Sequence, residues 1–263
     1  MAKRNKNNIL RKHICYCVFA LAFGVFFSCN SERAPDCFQN AGDLVRVTVA
    51  IEDFSTITVF ENLNLVLRQG DESQVEVETG EFLLNEVTAE VEGNRLVLRN
   101  ENSCNYVRDY GITTVYITAP NITAIRSSTG GLISSDGVLE YTNLNLISER
   151  FNNPEAETTD GSFDLNLSTE NLSIVTNGIA YFKLKGAVDN FAITIAAGDS
   201  RIEAEDLVAQ TVNLNHRGSN DVFVNPLERI SGIIRGYGDV ISVNRPAEVA
   251  VEEVFNGRLI FRD

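Results

Sequence analysis

Catalysis by a side-chain base or a bound metal needs several reactive groups held together, and this sequence offers few of them. Its two histidines are His13 and His216, and its five cysteines are Cys15, Cys17, Cys29, Cys37 and Cys104. A Ser-His-Asp arrangement would rest wholly on His216, because His13 lies in an N-terminal leader, and no Gly-x-Ser-x-Gly elbow introduces a serine. His216 stands beside Arg217 in a stretch that reads as a turn, so an isolated surface histidine is expected. Phosphate-binding loops of the Gly-x-x-x-x-Gly-Lys kind are absent from the sequence. The expected catalytic, cofactor-binding and metal-binding sets are therefore empty, and no cofactor is expected.

Acids and arginines cluster near a series of glycines, and parallel β-helices include enzymes that cleave acidic polysaccharides. Relative to those glycines Asp199, Asp221 and Asp239 fall at different offsets, as do Arg201, Arg217 and Arg235. Such spacing does not align them on adjacent units as a catalytic set requires. Calcium is a second chemistry that Gly-Asp turns support through oxygen ligands. The turns Gly218-Ser219-Asn220-Asp221 and Gly236-Tyr237-Gly238-Asp239 do not continue into the nine-residue tandem of calcium-binding rolls. Asn and Asp are expected in tight turns for backbone reasons alone. Asn220, Asp221 and Asp239 remain as candidate surface-contact residues. The tyrosines Tyr106, Tyr110, Tyr141, Tyr181 and Tyr237 are scattered and Trp is absent, which gives no aromatic platform for a sugar.

The N-terminus reads as an address. Lys3, Arg4, Lys6, Arg11 and Lys12 precede an apolar run from Ile14 to Phe27, followed by Ser28-Cys29. That is the layout of a secretory signal, and the run is shorter than the ~20 residues that span a bilayer. An uncleaved anchor is the alternative. Phe26-Phe27-Ser28-Cys29 is similar to a bacterial lipobox, with Phe26 where Leu is usual. The resemblance implies a signal peptide over 1–28, lipidation of Cys29 and a tether over 29–43. Cys15 and Cys17 would leave with the leader. Outside the cytoplasm the remaining pair, Cys37 and Cys104, is expected to form a disulfide, two buried thiols being the other reading. The bridge would close a loop of roughly 65 residues, where chain-entropy models give about 4 kcal/mol.

Five of the 22 basic residues lie in 1–28, which hold no acid, leaving 17 basic against 36 acidic groups, a net of −19. A body that negative repels nucleic acid. No nucleic-acid partner is expected.

From Leu44 onward the apolar residues alternate with period two, as strands require. Val45, Val47, Val49 and Ile51 open the series; Leu63, Leu65 and Leu67, then Val75 and Val77, then Val115 and Ile117 continue it. The one short helical stretch expected in this half is around 80–85. In the second half glycines recur at 178, 198, 218 and 238, twenty residues apart, and again at 257. A period near 20 in a strand-rich chain points to a solenoid whose units stack. The expected architecture is all-β with very little helix: N-terminal strands over 44–126, then a β-solenoid of single-stranded β-helix type over 127–263. Phe182, Ile202 and Val222 should form one inner column, and Ile193, Val212 and Ile233 another. The glycines should sit at corners. A β-sandwich with evenly spaced hairpins is the competing fold. The acidic segment 152–157 interrupts the repeat and is expected to be an exposed loop.

The order of several segments resembles the head GIN domain family, envelope proteins labelled auto-transporter adhesins. The matching stretches are Phe54-Ser55-Thr56-Ile57-Thr58-Val59, Leu65 to Asp71, Asn94-Arg95-Leu96-Val97-Leu98 and Val115 to Pro120. Worn Gly-Ser-Gly-Asp repeats follow at 218–221 and 236–239, and fainter ones at Gly130-Gly131 and Asp160-Gly161. The resemblance covers about 45–263 and implies a solenoid-like fold and a cell-envelope location, with no catalytic residues to carry over. The expected protein is a non-catalytic lipoprotein of the cell envelope, at the outer membrane. It would meet the membrane through its lipid and bind a protein or glycan partner. A polysaccharide-active enzyme, or a structural or sensory partner of another envelope protein, is the alternative.

Overall fold

The computed structural model describes residues 36–262 apart from 103, 107 and 153. The expected leader, Cys29 and the first part of the tether lie outside the described residues. Among those described, seventeen strands join in one hydrogen-bonded sheet, and helix is confined to two 3-10 turns, Asp36–Phe38 and Leu84–Glu86. No helix among them is long and apolar enough to cross a membrane.

The first strands are β1 (Leu44–Val49), β2 (Thr56–Phe60), β3 (Asn64–Gln69), β4 (Gln74–Gly80), β5 (Val87–Glu92) and β6 (Arg95–Asn100). Next come β7 (Thr114–Ala119), β8 (Ala124–Ser128), β9 (Leu132–Leu139) and β10 (Asn143–Ser148). Four long strands follow: β11 (Ser162–Thr176), β12 (Tyr181–Ile195), β13 (Arg201–His216) and β14 (Val222–Ile234). The chain ends with β15 (Val240–Ser242), β16 (Glu248–Glu253) and β17 (Leu259–Phe261).

The pairings resolve into two ladders. One runs β1–β4–β7–β3–β9, through the first halves of β11 to β14, to β15 and β17. The other runs β5–β6–β2–β8–β10, through the second halves of the same four strands, to β16. Because the long strands belong to both ladders, the sheet turns back on itself and nearly closes. Pairing is parallel throughout except β1–β4, β4–β7 and β5–β6 at the N-terminal end. There the order in space departs from the order in sequence, with β2 and β3 lying between β6–β7 on one side and β8–β9 on the other.

Alternation decides which side chains face inward. In β11 Phe163, Leu165 and Leu167 are buried while Asp164 and Asn166 between them are not. One apolar cluster then continues from Phe54 to Val240 across both ladders, and strands on either side of residue 126 contribute to it. Each such side chain adds about 1.5–3 kcal/mol when fully buried. Phe163, Phe182, Ile202, Val222 and Val240 pair in register along the first ladder, all buried, as the predicted column required. Phe163 and Phe182 stack with ring centroids 4.7 Å apart.

The second predicted column is corrected. Val212 pairs with Phe191 and Ile230, whereas Ile193 pairs with Leu214. Ile233 is half-buried and lies opposite Asn215. The reason is that β13 shifts register between Glu203 and Val208 against β14, and between Lys183 and Lys185 against β12. A slip of one residue turns a side chain to the other face. The two ladders thus count residues differently while the glycine corner stays regular.

Candidate interaction surface

Cys37 and Cys104 form a disulfide, with 2.06 Å between sulfurs and a sequence separation of 67. It fixes the start of the described chain to the loop before β7. Exposed aromatic side chains gather beside it: Phe38 and Tyr106 lie 5.8 Å apart, and Tyr110 is exposed on the same loop. Tyr110 Oη donates to the Asn105 carbonyl at 3.2 Å.

At the glycine corner the units touch through bare backbone. Asp199 N–H donates to the Gly178 carbonyl at 2.8 Å, Ser219 N–H to Gly198 at 2.9 Å and Tyr237 N–H to Gly218 at 3.0 Å. A Cβ on Gly198 would come within 2.2 Å of the Gly178 oxygen, and one on Gly238 within 1.9 Å of the Asn220 oxygen. Close approach is what selects glycine here; of these corner residues Gly198 alone also needs a positive φ, at 89°.

Asn220, Asp221 and Asp239 all lie at this corner, and their side chains are engaged within the molecule. Asn220 Oδ1 accepts from Arg201 Nη1 at 3.2 Å and from the Asp221 N–H at 2.9 Å. Asp221 Oδ1 accepts the Asp239 N–H at 3.0 Å, and Asp239 Oδ1 accepts the Arg258 N–H at 2.8 Å. Asp221 and Asp239 therefore do align on adjacent units, contrary to the expectation from their offsets, and the shorter step between β14 and β15 is the cause. The alignment serves backbone donors, and Ser219 Oγ adds a 2.8 Å bond to Asp199.

His216 is a correction too. It is fully buried (0 % exposed), because β13 extends as far as this residue and pairs it with Ile195 on one side and Ile234 on the other. Its Nδ1 accepts from the Gly218 N–H at 3.4 Å. Burial holds the imidazole below its usual pKa, against the opposing pull of the Gly238 and Asn220 backbone, Asp221 and Asp239. Tyr141, grouped above with scattered tyrosines, is buried as well, in the apolar cluster.

The opposite corner carries a feature the sequence reading missed. Where β11, β12 and β13 pass from one ladder to the other, Asn143, Asn171, Asn190 and Thr211 stand in register. Asn171 Nδ2 donates to Asn143 Oδ1 at 2.9 Å, Asn190 Nδ2 to Asn171 Oδ1 at 2.9 Å, and Thr211 Oγ1 to Asn190 Oδ1 at 3.0 Å. Identical amides on parallel strands satisfy one another along the stack. The irregular sequence spacing of these residues concealed the ladder.

Outer faces carry paired charge. Arg201 Nε donates to Glu203 Oε1 at 2.7 Å, Tyr181 Oη donates to the other oxygen, and the Arg201 guanidinium lies 4.7 Å from the Phe223 ring centre. The bond to Glu203 raises the Tyr181 phenol to about 12. Glu203 is held below the usual carboxylate range by Tyr181 and then Arg201. The loop carrying 152–157 is anchored by Glu149, which accepts from Arg126 at 3.1 Å and from the Asn152 N–H at 3.0 Å. Burial alone would raise the Glu149 pKa, but these bonds outweigh it and hold the carboxyl low. Ala156 in the same loop is buried, so the segment is not wholly exposed.

Among the described residues no group of three His, Cys, Asp or Glu is placed to hold a metal ion. Solved structures share the fold. A protein from Bacteroides fragilis NCTC 9343, described as a putative adhesin, superposes with a TM-score of 0.73 at 19% identity, covering 85% of this chain and 99% of its own. A putative adhesin from Parabacteroides distasonis ATCC 8503 gives 0.61 at 15% identity, with 85% and 99% covered. A protein of the same organism described as a putative lipid binding protein gives 0.59 at 17% identity, with 84% and 98% covered. No curated protein matches the sequence. Residues 53–246 match the family described as "Putative auto-transporter adhesin, head GIN domain", and the chain belongs to that family.

Proposed function

We propose that this chain is a non-catalytic envelope lipoprotein that acts as a binding module, a β-solenoid presenting its outer faces to protein or glycan partners. The observation that carries the reading is the stack itself. Successive strands pair in parallel register, their apolar side chains fill the interior, and the exposed surface is built from ladders of polar and charged groups. Steps of 17 to 21 residues along the paired columns support the solenoid. Membership of a family described as adhesins supports the binding role and an envelope location. Asn220, Asp221 and Asp239 would contribute by keeping the contact surface rigid.

Acylation of Cys29 would tether the end that carries the disulfide. Cys37 lies eight positions after Cys29, a reach of at most about 29 Å. The exposed Phe38, Tyr106 and Tyr110 would then stand close to the headgroup layer, where tyrosine is favoured. Metabolic acyl labelling of wild type and Cys29→Ala tests the anchor: label and outer-membrane retention should vanish together in the variant, and unchanged retention overturns it. Immobilised protein challenged with glycans and matrix proteins tests the role. Saturable capture without turnover is expected; release of cleaved sugar would favour an enzyme instead.

A further inference from the structure

Arg217 and Arg235 stand at different offsets from their glycines, yet the fold brings them to adjacent units. His216 pairs with Ile234, an arginine follows each, and the Arg235 N–H donates to the His216 carbonyl at 2.7 Å. The 18-residue step from Val212 to Ile230 in this ladder closes the gap in offset. His216 and Ile234 are buried, whereas both arginines are exposed. Neighbouring strands lie about 4.8 Å apart, so two like charges leave adjacent backbone positions, an unfavourable arrangement. Other arginines meet an acid, as in Arg46–Glu78 and Arg229–Glu248 at 2.8 Å, or cover a ring, as Arg262 does on Phe223. Among the described residues neither Arg217 nor Arg235 has an ion pair. Beyond the leader this protein holds 36 acids against 17 bases, so two adjacent arginines without a counter-charge stand out.

An independent observation falls on the same patch. Tyr237 follows Arg235 by two residues, with buried Gly236 between them, and is 65% exposed. Its ring meets Phe255 edge to face at 4.9 Å, and Phe255 is 46% exposed. Val254, also exposed, comes alongside from the next unit, its N–H donating to the Ile234 carbonyl at 2.9 Å. Phe255 thus supplies the aromatic neighbour that scattered tyrosines lacked. Arginine and tyrosine gathered on exposed apolar surface are the composition of a contact site. The unpaired guanidinium groups fix the sign of the partner as negative. A broad acidic protein surface would also meet the acids that dominate this body, whereas a slender chain sets its charge on the patch alone.

We propose that Arg217, Arg235, Tyr237 and Phe255 form a binding site for an acidic glycan, a chain of sugar rings bearing carboxylates. One carboxylate bridges the two guanidinium groups and accepts N–H donors from both. The neighbouring sugar ring lays its C–H face on Tyr237, whose exposed hydroxyl is open to a sugar hydroxyl. The proposal rests on the reading of the body as a binding module and gives that module a face and a ligand class.

Isothermal titration of the full chain in mild detergent tests this, with hexameric oligogalacturonate as probe at 0.15 M salt without divalent cations. One saturable site of submillimolar affinity is expected, and the fully methyl-esterified hexamer should give no saturable heat. Arg217→Gln with Arg235→Gln should weaken the hexamer at least tenfold without lowering the melting temperature. Arg68→Gln with Arg229→Gln removes the same charge outside the patch and should change affinity less than twofold. Tyr237→Ala should weaken the hexamer severalfold and leave any affinity for a polyglutamate peptide unchanged. Absence of a saturable site, or equal losses in the two double variants, overturns the proposal. Polyglutamate binding as tightly as the hexamer, with Tyr237→Ala without effect on either, overturns it in favour of an acidic peptide. Capture of neutral glycans or matrix proteins alongside any of these failures would leave the binding-module reading standing; failure of every capture would remove both.

Discussion

Asp221 Oδ1 accepts the backbone N–H of Asp239 at 3.0 Å, so a turn carboxylate joins one unit of the stack to the next. Asp239 repeats the arrangement toward Arg258 at 2.8 Å. A bond to a charged acceptor contributes about 1.5–3 kcal/mol, less where water competes, as at this half-buried turn. Asp221→Ala is expected to destabilise by about 1 kcal/mol in urea unfolding. Asp221→Asn keeps the acceptor oxygen and should cost about half of that or less.

Glycine at the corner answers to contact more than to backbone angle, and a pair of substitutions distinguishes these causes. Gly137 has φ 94° with nothing within 4 Å of the added Cβ, so Gly137→Ala carries backbone strain alone, about 1 kcal/mol. Gly198 has φ 89°, and its Cβ would lie 2.2 Å from the Gly178 oxygen. Gly198→Ala must also push neighbouring units of the stack away from each other, and a loss of about 3 kcal/mol or more is expected. Thermal melts of both variants measure the difference.

The disulfide joins residues 67 apart, and the unfolded chain gains most of the freedom when the bond is removed. By chain entropy, Cys37→Ala with Cys104→Ala should lower stability by about 4 kcal/mol. Hydrogen exchange should then rise first in the loop before β7 and around Phe38, while the column from Phe163 to Val240 stays protected. Uniform loss of protection would mean that the bond holds the whole stack.

What was legible follows from which ladder a residue belongs to. Phe182, Ile202 and Val222 were placed correctly because their spacing equals that of the corner glycines nearest to them. Beyond the far corner the count changes: Phe191 to Val212 takes 21 residues and Val212 to Ile230 takes 18. Glycines twenty apart cannot report those compensating differences, so the Ile193, Val212 and Ile233 column failed. The asparagine ladder was hidden in the same way, since Asn143, Asn171 and Asn190 align only after register is known. His216 was misplaced because Arg217 and Gly218 look like a turn. The strand in fact ends at His216 itself, with its side chain on the inward phase.

His216 predicts a dependence on pH. Burial keeps its folded pKa below the unfolded value near 6.5, so the unfolded chain takes up a proton first as pH falls. Stability from this group is full above about 6.5 and declines as pH drops from there toward the folded pKa. Glu149 and Glu203, both held low, add losses only below the usual carboxylate range. Urea midpoints measured from pH 7.5 to 5 should therefore fall in wild type and stay flatter in His216→Leu. A decline of equal slope in both proteins would assign the effect to other groups.

Two tyrosines of opposite circumstance give the last test. Tyr141 is fully buried with an unpartnered hydroxyl, and burial alone pushes its pKa up to about 12. Tyr181 reaches about 12 mainly because its hydroxyl donates to Glu203. Removing the first oxygen deletes an unpaired polar group and leaves the ring in place, so Tyr141→Phe should stabilise the protein by about 1 kcal/mol. Removing the second breaks a made bond, and Tyr181→Phe should destabilise by about 0.5–1.5 kcal/mol. Thermal melts of the two variants should therefore shift in opposite directions, and shifts of the same sign would assign the change to ring packing instead.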